Sequence, residues 1–159
     1  MPENEPLSVS ILSVGIEGPF GQKIGEVLNN MDPNLIISYL QGIDAGQLEK
    51  VMDNSALILI KSASLRLENL KNRVSGKAVI LINPEISPTL KTKLYLLNNR
   101  VLVISCKEGD YFDSESTSFH DLISGSTMKI MHNCNENTLQ KKAEAIARIT
   151  KKFLDEEEL

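Results

Sequence analysis

Val9-Ser10-Ile11-Leu12-Ser13-Val14 runs without a break into Gly15-Ile16-Glu17-Gly18-Pro19-Phe20-Gly21, and beyond it Ile24, Val27, Leu28 and Met31 recur at helical spacing. An apolar run of strand length, a glycine-rich turn and an amphipathic helix in this order make the opening half of a β-α-β unit. Glycines at such a turn allow a tight bend, let the backbone approach a pyrophosphate at the helix N-terminus, and let helix and strand pack closely. Close packing alone also puts glycines in βα turns, so the Gly-x-x-Gly-x-x-Gly spacing has both readings. Two residues work against a phosphate: Glu17 brings a carboxylate to the turn, and Pro19 removes a backbone N–H from the first helical turn.

Outward from this unit the pattern repeats. Leu35 to Leu40, Ala56 to Ile60, Ala78 to Ile82 and Val101 to Ile104 are rich in Ile, Leu and Val with little alternation, which with Val9 to Val14 predicts five interior parallel strands covered on both faces. Between them Leu48, Val51 and Met52, then Leu65, Leu67, Leu70 and Val74, then Leu90, Leu94 and Leu97 predict one helix per connection. Asp32-Pro33-Asn34, Asp53-Asn54-Ser55, Ser75-Gly76-Lys77 and Asn98-Asn99-Arg100 supply the turns. Lys107 to Ser126 is polar and breaks the rhythm, reading as a long loop with one helical turn. Thr127 to Met131 supplies a sixth strand, and Asn137 caps a last helix with Leu139, Ala143, Ile146, Ile149 and Phe153 on one face. The expected fold is α/β: a doubly wound, Rossmann-like, mostly parallel sheet of about six strands with helices on both faces. Its single domain spans 9–154, after a flexible N-terminus at 1–8 and before an acidic tail at 155–159.

Composition limits the function. The chain has 159 residues, one domain's worth, and a net charge of −4 with its lysines and arginines dispersed, which argues against nucleic acid as a partner. The polar, acidic start Met1-Pro2-Glu3-Asn4-Glu5-Pro6 is unlike a signal peptide, and no apolar run has the length of a membrane span. With only Cys106 and Cys134, too few for a disulfide framework, the expectation is a cytoplasmic protein that binds no membrane and holds no metal. Cys106 follows the fifth strand beside Lys107, where it reads either as a reactive thiol or as an inert buried one. His120 and His132 read as surface or structural residues, and Lys141, Lys142, Arg148, Lys151 and Lys152 as the solvated face of the last helix.

Taken together, these segments resemble the N-terminal nucleotide-binding domain of prephenate dehydrogenases, tyrosine-biosynthesis enzymes that use NAD or NADP. The family's Gly-Gly-x-Gly-x-Met-Gly turn is matched by Gly15, Gly18 and Gly21, with Phe20 at the Met position. The family's serine after strand four is replaced by Pro84, and its His-Pro-Met-Phe-Gly segment by Ser105-Cys106-Lys107-Glu108-Gly109. The family's helical C-terminal domain has no counterpart within these residues. The resemblance implies an NAD(P)-binding, oxidoreductase-like domain with weakened or lost catalysis. Its cofactor-binding residues would be Gly15, Ile16, Gly18, Pro19, Phe20, Gly21, Gln41, Lys61, Ser62, Ala63 and Asn83, with Asp44 near Gln41 and Ser105 at the rim. Hydride transfer needs a bound nicotinamide and a group that takes the hydroxyl proton. The second is missing, so the alternative is a non-enzymatic interaction or regulatory module that keeps the fold. Expected partners are a dinucleotide or related small molecule, and a protein partner or second copy of the chain.

Overall fold

The computed structural model describes residues 7–13, 18–40, 45–74, 77–112, 116–135 and 137–156. Strand β1 (Ser8–Leu12) is followed by helix α1 (Gly18–Met31), strand β2 (Ile36–Leu40), helix α2 (Ala45–Asn54) and strand β3 (Ala56–Ile60). A 3-10 run, Lys61–Asn69, leads to strand β4 (Val79–Ile82), then the short helix α3 (Pro88–Lys91), a 3-10 turn at Leu94–Leu96 and strand β5 (Val101–Glu108). The chain ends with strand β6 (Tyr111–Phe112), helix α4 (Ser116–Leu122), strand β7 (Thr127–His132), a 3-10 turn and helix α5 (Ala143–Asp155).

The doubly wound α/β class holds. β1, β2, β3, β4, β5 and β7 pair in parallel, and only the two-residue β6 runs antiparallel, against Lys107 and Glu108. The strand order is β2-β1-β3-β4-β5, with β7 completing the far edge beside β5. This is the flavodoxin-like arrangement of the doubly wound class, whose switch point lies between β1 and β3.

Alternation along the buried strands divides two cores. Ala56, Ile58 and Ile60 of β3, with Ile80 and Ile82 of β4, face α1 and α5, where Phe20, Ile24, Leu28, Ile146 and Phe153 close over them. Leu57, Leu59, Val79 and Leu81 face the other way, under Leu48 and Met52 of α2, Leu67, Leu90 and Phe119. Gly21 lets α1 pack closely on β1 and β3: a β-carbon there would lie 3.2 Å from Ile11 and 3.3 Å from Ile60. Of the roles expected for the glycines, close helix–strand packing therefore falls to Gly21. Arg100 anchors the end of α5 by donating to the carbonyls of Phe153 and Glu156 while its guanidinium lies over the Phe153 ring.

Several expectations need correction; among them, Leu90, Leu94 and Leu97 fall on a four-residue helix and a 3-10 turn, and the last helix starts after Lys142 and not at Asn137. β2 is an edge strand with Ile36 and Tyr39 exposed, because only β1 flanks it. The connection after β3 is a 3-10 run rather than a helix over 65–74, and Lys61, Ser64 and Leu67, three residues apart as the 3-10 period requires, are buried in it together with Ala63. The polar stretch after β5 holds a β-hairpin and a two-turn helix, with Phe119 fully buried. Finally, Cys106 and Cys134 are joined by a disulfide, both buried, because parallel pairing of β5 with β7 brings their ends together although the residues are 28 apart in sequence.

Candidate functional site

In open α/β sheets ligands settle outside the carboxyl ends of the strands, at the switch point of the strand order. Here that edge is formed by Ser13 after β1, the start of α1, and the residues following β3, β4 and the middle of β5. The register lines them up. Ile60 pairs with Ile82 and Ile82 with Ile104, so the next row across three neighbouring strands is Lys61, Asn83 and Ser105.

That row is polar and buried. Lys61 is 9% exposed, Asn83 2% and Ser105 0%, directly beyond strands whose side chains are apolar without interruption. With Ser64, these make four of the seven buried polar residues of the chain's described part, gathered at one edge. Buried polar groups are costly unless hydrogen-bonded, so their concentration marks the edge as chemically distinct. Lys61 and Asn83 also hold left-handed backbone conformations, φ 53° and 45°, which cost a side-chain-bearing residue strain and which collect at functional sites.

Several contacts hold this geometry. The Asn83 backbone N–H donates to Ile104 O at 2.7 Å, and its side-chain Oδ1 accepts from the Cys106 N–H at 3.2 Å, so Asn83 takes over the ladder where β4 ends and β5 continues. Ser64 Oγ donates to Glu85 O at 2.6 Å and accepts from Glu85 N at 3.0 Å, tying the loop after β3 to the loop after β4. Ser87 continues the link, donating to Glu68 Oε1 and accepting from Leu90 N as the cap of α3. Ser64 and Ser87 escaped sequence reasoning. The signal for Ser64 is its place in the Lys61, Ser64, Leu67 series. Ser105 Oγ is buried with no hydrogen-bond partner among the described residues, and an unmet hydroxyl of this kind costs about 1–3 kcal/mol. The α1 N-terminus adds partial positive charge to the same edge.

The residues expected around a dinucleotide do not all meet here. Gly15, Ile16, Gln41 and Asp44 lie outside the described residues. Gly18 and Pro19 already belong to the first turn of α1, and Pro19 is exposed. Phe20 is a core residue under α1, and Ala63 is built into the opposite core with Leu67. Lys61, Ser62 and Asn83 do lie together at the edge, with Ser62 half-buried. Cys106 is bound in the disulfide and is no reactive thiol. His120 Nδ1 lies 2.9 Å from Ser126 Oγ, a local contact just before β7 at the opposite end of the strands. On α5, Arg148 pairs with Glu144, and Lys151 with Asp155 and Asp32. No group of three or more His, Cys, Asp or Glu among the described residues can hold a metal ion. No described helix is long and apolar enough to cross a membrane.

No family model and no curated protein matches the chain. Among solved structures, it is similar to one described as a predicted CIB-like hydrolase from Thermoplasma acidophilum, at 15% identity over 97% of this chain and 88% of that one, with a TM-score of 0.64. A flavodoxin from Streptococcus pneumonia TIGR4 aligns at 9% identity over 89% of this chain and 94% of that one, with a TM-score of 0.35. The first likeness establishes the shared α/β fold. It also corrects the dehydrogenase reading, because the structure that matches nearly the whole chain is described as a hydrolase and not as an NAD(P)-binding protein. The strand order gives the physical reason: the dinucleotide-binding order places β3 beyond β2, whereas here β3 lies on the other side of β1. Phe20 in the core and Pro19 on the first helical turn do not fit a pyrophosphate cradle either. The oxidoreductase and tyrosine-biosynthesis associations fall with it.

Proposed function

We propose that the protein binds a small anionic ligand, a phosphate- or carboxylate-bearing molecule, at the carboxyl edge of β3, β4 and β5. The observation that carries this is the buried polar row Lys61, Asn83 and Ser105, two of them in left-handed conformations, at the edge where this class of sheet binds ligands. Lys61 supplies the positive charge, Asn83 the amide that fixes orientation against β5, and the Ser62 and Ser105 hydroxyls the donors an anionic oxygen accepts from. The α1 N-terminus reinforces the same preference for negative charge.

The test is isothermal titration with orthophosphate, simple phosphomonoesters and small dicarboxylates, on the wild-type chain and on Lys61→Met and Lys61→Arg. Saturable heat with at least one anion is expected, lost in Lys61→Met and partly kept in Lys61→Arg, with unchanged helical circular dichroism in both. No binding of any of these anions at millimolar concentration, or equal binding by Lys61→Met, refutes the proposal. The similar Thermoplasma acidophilum structure is described as a predicted hydrolase, so each bound ester is also followed for release of its leaving group.

A further inference from the structure

The two edges of the sheet differ in a way that points to a partner. β7 carries Lys129 and ends at His132, both exposed, and an outward charge of this kind keeps an edge strand from pairing with another chain. β2, Ile36-Ile37-Ser38-Tyr39-Leu40, has no charge and no proline, and its Ile36 and Tyr39 are 50% and 45% exposed.

The hydrogen-bonding phase of β2 is known from its inner neighbour. Ile36 N–H donates to Leu7 O, and Ile36 pairs with Ser8 of β1, so Ile36, Ser38 and Leu40 direct their backbone groups inward. Ile37 and Tyr39 therefore direct theirs outward. Among the described residues no strand pairs with that side.

We propose that β2 pairs antiparallel with β2 of a second copy of this chain, about a two-fold axis through Ser38. In that register Ile37 of each copy faces Tyr39 of the other, and the two pairs exchange four backbone hydrogen bonds. Every other contact is also matched. On the α1 face Tyr39, which lies against Gly25, covers the partner's Ile37; on the α2 face the exposed Ile36 meets the partner's Leu40. No charge opposes another anywhere along the pair, and the same patch serves both copies, as an isologous dimer requires. Either half-strand facing an unrelated edge would not be self-complementary in this way. Ser38, small and exposed, sits on the axis facing its own symmetry mate as a non-hydrogen-bonded pair, with Cα atoms about 4.5 Å apart, a spacing a disulfide can bridge.

Sedimentation velocity of the full chain from micromolar to sub-millimolar concentration, with two Ser38 variants, decides it. Wild type should sediment at twice the chain mass at the upper end of the range. Ser38→Lys, which sets two ammonium groups against each other across the axis, should sediment at the single chain mass with unchanged helical circular dichroism. Ser38→Cys, treated with a low-molecular-weight disulfide that takes up the two electrons and two protons, should give a covalent dimer released by reductant. A wild-type chain that stays monomeric throughout, a Ser38→Lys chain that remains dimeric, or a Ser38→Cys chain that forms no cross-link overturns the proposal.

Discussion

β2 and β3 are each five residues long, apolar and rich in isoleucine and leucine, yet every side chain of β3 is buried and none of β2 is. The difference comes from position. β3 has β1 and β4 beside it, α1 above and α2 with the 61–69 run below, whereas β2 has one neighbouring strand and partial cover where Ile37 and Tyr39 lie on α1 and Leu40 on the α2 core. Apolar content makes both segments strands, and the crossover connections decide which of them becomes core. The same free-energy source, apolar area removed from water, is therefore spent fully in one strand and left partly available for association in the other.

The sharpest way to break this comparison is to truncate one isoleucine in each strand. Ile58→Ala, fully buried, should lose about 3–4 kcal/mol, whereas Ile36→Ala, half-exposed, should lose less than about 1 kcal/mol in the monomer. Urea unfolding monitored by circular dichroism, at a concentration where the chain is monomeric, measures both. Equal losses would mean that β2 is buried in a way the strand order does not provide.

The far edge is secured differently, by a covalent tie between Cys106 of β5 and Cys134 after β7. Closing a loop of 28 residues removes denatured-state entropy worth about 3.6 kcal/mol. The double variant Cys106→Ala with Cys134→Ala, which leaves no odd thiol, should be less stable by about that amount. A reducing agent should lower the unfolding midpoint of the wild type and leave the variant's unchanged. A wild type indifferent to reductant in the unfolded baseline and midpoint alike would contradict the tie.

Gly25 sharpens the account of how β2 is held. A β-carbon there would come within 2.8 Å of Tyr39 Cζ and 3.1 Å of Ile37 Cγ2. Alanine favours the helix by about 1 kcal/mol over glycine, but overpacking costs about 1–3 kcal/mol. Gly25→Ala should therefore come out destabilising by about 1 kcal/mol in thermal melts, and the same substitution made in a Tyr39→Ala chain should no longer destabilise it relative to Tyr39→Ala alone. A stabilised Gly25→Ala chain would show that Tyr39 moves aside freely.

The smallest expected effect concerns acid. The Glu49 carboxyl is held below its ordinary value by the Asn72 side chain first and then by the Lys71 and Asn72 backbone N–H groups. A depressed carboxylate contributes stability above its unfolded value and loses it as pH falls through the folded one. Glu49→Gln should be slightly less stable than wild type at neutral pH, and the gap should close well below pH 4.5, the ordinary value. A gap that is constant with pH would place the interaction elsewhere.

Much of the architecture was legible because it rests on local periodicity. The strands, α1, α2, α5 and the parallel doubly wound class follow from where apolar runs and helical stripes alternate. The strand order was not legible, because nothing within Ala56 to Ile60 says whether it lies beside β1 or beyond β2, and that choice decides whether the glycine turn faces a dinucleotide crevice. Nor was the meeting of Cys106 and Cys134, which depends on β7 returning beside β5. The run after β3 keeps Leu67, Leu70 and Val74 of the helical stripe buried, but its backbone is a 3-10 run over Lys61–Asn69 and Val74 bridges to Leu97 instead of continuing a helix, a choice the apolar spacing does not distinguish. Lys61, Ser62, Asn83 and Ser105 were legible as edge residues because each falls at or near the carboxyl end of its strand. Their buried polarity needed the structure.

Amide chemical-shift mapping of the uniformly labelled chain during titration with orthophosphate and a phosphomonoester tests the central claim most directly. The account predicts saturable shifts centred on Lys61, Ser62, Asn83 and Ser105 and absent from β2 and the amino ends of the strands. Shifts confined to the exposed lysines of α5, or no shift at the carboxyl edge with any anion, would contradict it.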